Sequence, residues 1–155
     1  MLSTRSGREI PNAQDPDLAP AAAAHATELF RRKYPLARLR RGSSGQYNCH
    51  GLTFANRRTG IYDIQALESV LDDDGYRRIP RKDVEPGDIL VCYDQGEISH
   101  TGVVLEVTPA EGIPGLVGIR VVSKWGGAAE YVHMDQDGPY NDHQISYWTD
   151  RHDRR

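Results

Sequence analysis

Asp88-Ile89-Leu90-Val91-Cys92-Tyr93, then Gln95-Gly96, then His100-Thr101-Gly102-Val103-Val104-Leu105-Glu106-Val107 is the stretch on which the fold turns. Both runs are rich in β-branched residues, and the Gln-Gly pair between them reads as a turn, so the stretch predicts two adjacent strands. Toward the C-terminus, Thr108 to Gly118 holds two prolines and three glycines and reads as a loop. A third strand follows over Ile119 to Trp125. Gly126-Gly127 turns the chain into a fourth strand around Glu130 to His133, and Gln144 to Trp148 reads as a fifth. Before Gly75 the period is helical. Ile64, Leu67, Val70 and Leu71 fall on one face of a helix expected over Asp63 to about Asp73. A second helix is expected from Asn48 through Phe54. Another should start near Leu18, capped by Asp17 with Pro20 in its first turn, and end before Pro35. Helices first and strands afterwards specify an α+β fold with N-terminal helices on a mainly antiparallel sheet of about five strands.

The chain has 155 residues, 38% hydrophobic and 26% charged, with a formal net charge of -3. That length suits one domain with a real core, expected over residues 18–155 behind a flexible arm, 1–17. The near-neutral balance does not favour wholesale binding to nucleic acid, and no apolar run reaches the length of a membrane span. The first residues lack the apolar core of a signal peptide, so the chain is expected to be cytoplasmic as synthesised, with delivery by another export route left open. Two cysteines, Cys49 and Cys92, cannot build a disulfide framework. Adjacent Cys49-His50 makes poor chelation geometry, and no metal or other cofactor is expected.

Gly45-Gln46-Tyr47-Asn48-Cys49-His50-Gly51-Leu52-Thr53 carries the chemistry. Asn48 is a candidate N-cap and Cys49 the first helical residue. Unpaired N–H groups and partial positive charge at a helix start favour a thiolate. The same N–H groups suit the oxyanion of an acyl-transfer intermediate, with Gln46 as a further donor. The alternative is a buried structural thiol. A nucleophilic cysteine needs a base, and His100, at the opening of a strand, is the best candidate.

The cysteine on a helix, Pro86-Gly87-Asp88 opening one strand and His100-Thr101-Gly102 beginning the next together resemble the NlpC-type and CHAP-type amidases, small papain-fold cysteine peptidases. The resemblance runs from about Gln46 to Trp125. It implies a papain-like fold and a thiol hydrolase that cleaves the amide bond of a peptide or a peptidoglycan stem peptide, with Cys49 as nucleophile and His100 as base. It also implies a polar residue that orients the histidine from the next strand. Ser123 is the choice by position, and His133 is its rival. Alternation puts Ser123 and Trp125 on one face of that strand and Lys124 on the other. Gln46, Asn48 and Trp125 complete the expected substrate-facing set, although Trp125 also reads as an ordinary core residue. Where the usual family motif is Asp-Cys-Ser-Gly, this chain has Asn48-Cys49-His50-Gly51. Acyl transfer by the same pair and a non-catalytic peptide-binding module are the alternative readings. Oligomeric state is not legible.

Overall fold

A computed structural model describes residues 1–152. In chain order the elements are α1 (Pro20–Lys33), β1 (Arg38–Arg41), α2 (Cys49–Ala55), α3 (Ile64–Asp73), β2 (Arg77–Ile79), β3 (Ile89–Asp94), β4 (Glu97–Pro109), β5 (Val117–Lys124), β6 (Glu130–Met134) and β7 (Gln144–Thr149). The class is α+β as expected, but the sheet has seven strands rather than five. They run antiparallel in the order β1-β6-β5-β4-β3-β7-β2. The two additional strands are β1 and β2, both short and Arg-rich, one at each edge of the sheet.

Local chemistry explains the elements that hold the site. The Asp63 carboxylate caps α3 by accepting from the Gln65 and Ala66 N–H groups. Gly75, in the left-handed region (φ 74°), lets the chain leave that helix. Asp17 does not cap α1, which has Ala19 at that position; its carboxylate accepts from Gly45 N–H instead and ties the approach to α2. Gln95 and Gly96, both at positive φ, make the β3–β4 turn. Asp88 of the Pro-Gly-Asp turn is buried and accepts from the Glu85 N–H and from the Arg151 guanidinium, so it fastens the start of β3.

One face of the sheet packs Ile89, Val91 and Ile98 against Leu67, Val70 and Leu71 of α3. Farther along that face, Val122 and Val103 meet Leu52 of α2. On the other face, Ile79, Leu90, Val104, Ile119 and Tyr147 share one cluster built from side chains of the strands themselves. α1 closes the end of that second face, where Phe30 and Tyr34 pack on Trp125 and Tyr131.

The first 17 residues are not a free arm. Ile10 is buried in the α3 cluster. Two isolated β-bridges, Ser3 with Glu9 and Ala13 with Gly60, shape the segment. The Thr4 hydroxyl and the Arg8 guanidinium both reach Asp73. Ile10 and Thr4 supply what a solvated leader lacks, an apolar anchor and a buried polar partner.

Candidate active site

Asn48 begins the site. Its side-chain oxygen accepts from the N–H groups of Gly51 and Ile61, and its amide donates to the Ile61 carbonyl. The residue is therefore an N-cap that also clamps the chain entering α3. Its side chain is spent on that clamp, so the expected substrate-facing role for Asn48 does not hold in this state. The exposed Gln46 amide donates one N–H to the Arg57 carbonyl (3.3 Å). Gly51 is required by space: a Cβ there would stand 1.9 Å from the Thr59 carbonyl oxygen.

Cys49 is the first residue of α2 and is 7% exposed. Burial pushes its thiol up to about 11, while the backbone N–H groups of Thr101, His50 and Cys49 itself and the Lys124 charge pull it down. The sulfur thus rests protonated at neutral pH, against N–H groups that favour a thiolate once it forms. Cys92 is more buried, and its thiol is pushed up to about 12 by that burial.

His100 lies next to a β-bulge. β3 and β4 pair Tyr93 with Ile98 and Cys92 with His100, which leaves Ser99 as the extra residue. The bulge reverses the alternation. Ile98 packs on the α3 side, whereas the His100 ring lies flat against Tyr140, with centroids 3.7 Å apart and planes 6° apart. Thr101, the next residue, faces α2. Its hydroxyl is 2.8 Å from His50 Nδ1 and donates to the Cys49 carbonyl (3.4 Å). The Cys49–His100 hydrogen bond expected from sequence is not formed, and both ring nitrogens of His100 are buried without a partner among the described residues. The Thr101 backbone N–H draws the Cys49 thiol down, whereas the ring of the preceding His100 turns to the Tyr140 side. Burial holds His100 well below the usual histidine range, and His50, His133 and His143 around it act in the same direction.

Ser123 does not orient His100. Its hydroxyl lies 2.7 Å from His133 Nε2 and accepts from the Trp125 indole N–H (3.1 Å). His133 Nδ1 faces the Met134 carbonyl at 2.8 Å, which fixes the proton on Nδ1 and makes Nε2 the acceptor for Ser123. Ser123 and His133, rivals in the sequence reading, are partners in one network. Trp125 is 3% exposed and stacks on Tyr131, with Phe30 and Tyr34 at its edges, so it is a core residue here and not a cover over Cys49.

Two residues outside the sequence-based set belong to the site. Tyr140, in the β6–β7 connection, covers His100. Lys124, fully buried on the α2 side of β5, stands 5.0 Å from the Tyr47 ring centroid and donates to the Gly126 carbonyl. A lysine inside the run Val121-Val122-Ser123-Lys124-Trp125 is a visible signal, because a strand buried on both faces seldom carries an ammonium. No signal of comparable strength marks Tyr140, which lies in a loop of Gly, Pro, Asn and Asp. Compared with family models, curated proteins and solved structures, the chain matches none.

Proposed function

We propose that the protein is a thiol hydrolase of amide bonds, on a papain-like arrangement, that works through an acyl-enzyme on Cys49. One observation carries this reading: Cys49 opens the capped helix α2, where its thiol is drawn down by the backbone N–H groups of Thr101 and His50, and Thr101 follows a histidine whose two ring nitrogens have no partner among the described residues. The N–H groups suit a thiolate and then a carbonyl oxyanion. His100, neutral at physiological pH, accepts the thiol proton as the sulfur attacks the amide carbonyl. It returns that proton to the leaving amine, and water then releases the acid. Peptides and peptidoglycan stem peptides are the proposed substrates, and an amine acceptor in place of water would give acyl transfer. A peptide-binding module without turnover is the second reading. It is favoured by Tyr140 lying on the His100 ring and by the missing Cys49–His100 hydrogen bond.

The test is incubation with peptidoglycan fragments and a panel of peptide amides, read by mass spectrometry. Cys49→Ala should abolish release of new carboxyl termini, and His100→Ala should lower it by about 10²–10⁴-fold. Turnover that survives Cys49→Ala removes the mechanism. Ligand retention without turnover in both proteins establishes the binding module.

A further inference from the structure

We infer that Lys124 is the positioning residue that supplies the counter-charge for the Cys49 thiolate. The inference builds on Cys49 as nucleophile and concerns a group that the Cys–His mechanism leaves unused.

The geometry comes from strand register. β4 and β5 pair Val103 with Val122, so two residues on, Thr101 stands opposite Lys124. Both face the side of the sheet that α2 covers, where Thr101 holds the Cys49 carbonyl and the His50 ring. The Lys124 chain is fully buried and its ammonium lies toward Tyr47, two residues before Cys49.

A buried ammonium calls for a counter-charge, and the nearby carboxylate is already committed. Glu130 pairs with Lys124 across β5 and β6, yet its oxygens accept from Arg57 (2.7 and 3.1 Å) and from the Tyr47 hydroxyl (2.8 Å). Arg40 and Arg41 of β1 add positive charge beside it at 3.8 and 4.0 Å. Among the described residues no carboxylate forms an ion pair with Lys124, whose hydrogen bond goes to the uncharged Gly126 carbonyl. Asp17, ahead of α1, is near enough to favour the charged lysine but forms no ion pair with it among the described residues, and its carboxylate accepts from the Gly45 N–H. His50 of α2 is neutral, with burial taking it down to about 4. Of the groups around the ammonium, the Cys49 sulfur is the one that gains a negative charge during the proposed reaction. Burial brings Lys124 down to about 8, while Cys49, Glu130 and Asp17 pull it upward. Its charge is therefore present at neutral pH when the thiol gives up its proton.

The experiment follows iodoacetamide alkylation of Cys49 by peptide mass spectrometry from neutral to strongly alkaline pH, in a chain carrying Cys92→Ser. Lys124 itself loses its charge near about 8, so a charge effect is largest at neutral pH and fades above that, which separates it from access. Lys124→Met, and Lys124→Gln, which keeps a donor for the Gly126 carbonyl, should both slow neutral-pH alkylation about tenfold and converge on the wild-type rate at alkaline pH. Lys124→Arg should retain most of the wild-type rate at neutral pH. Near-ultraviolet circular dichroism selects the variants that keep the fold. An unchanged profile in a folded Lys124→Met or Lys124→Gln protein, or an equal loss in a folded Lys124→Arg, overturns the inference. Turnover does not enter the readout. A chain inactive on every amide but with a lysine-dependent thiol keeps the pairing and loses only the hydrolase reading.

Discussion

At the scale of single residues, the site depends on how Asn48 spends its side chain. Three hydrogen bonds fix the start of α2 to the chain that enters α3. Asn48→Ala should cost about 1–2 kcal/mol, the range for losing an N-cap, and more where the orphaned Ile61 groups stay dry. Urea unfolding measures it, and an unchanged midpoint would show that the clamp carries no stability. Gly51→Ala should be worse, because its Cβ overlaps the Thr59 carbonyl and one of the two segments must move. The cap was legible in Asn48-Cys49 from residue type alone. Its second task was not, because Ile61 is 13 residues away and only the folded chain brings it there. The same limit applies to Gln46 and Ser123, whose partners Arg57 and His133 come from other elements.

At the scale of elements, one bulge decides the relation between thiol and imidazole. The strand over His100 to Val107 was readable, and so was the division of Ser123 from Lys124 across β5. Ser99 was not readable as an extra residue, since a bulge is a property of the pair of strands and not of one of them. β1 and β2 escaped for a related reason. Arg38-Leu39-Arg40-Arg41 and Arg77-Arg78-Ile79 have no apolar alternation, and their pairing with β6 and β7 is what makes them strands. The β6–β7 connection brings Tyr140 over His100, and the stack implies a measurable shielding. Tyr140→Ala should let water reach the imidazole and move its titration up toward the ordinary histidine value, whereas Tyr140→Phe keeps the face covered. Proton resonances of the ring against pH distinguish the two. Equal titration in both variants would mean that the sheet alone, and not the tyrosine, keeps His100 dry.

At the scale of the whole molecule, imidazoles are buried on both faces of the sheet, and this gives the fold a pH limit. His50, His100 and His133 are all buried, and burial holds each below the usual histidine range, His50 at about 4 against an ordinary value of 6.5. An imidazole with a lowered folded-state value binds its proton less well in the folded chain than in the unfolded one. Below about 6.5 the unfolded chain therefore holds more protons, and stability falls as the pH is lowered. For His50 alone, with values of 6.5 and about 4, the loss reaches about 2 kcal/mol by pH 5. His100 and His133 add losses of the same sign. Thermal unfolding between neutral pH and pH 5 should show a falling midpoint, and His50→Gln should flatten part of that slope while keeping a polar partner for Thr101. A midpoint that rises toward pH 5 would require these rings to gain protons on folding. That would contradict the proposed role of His100 as a neutral base.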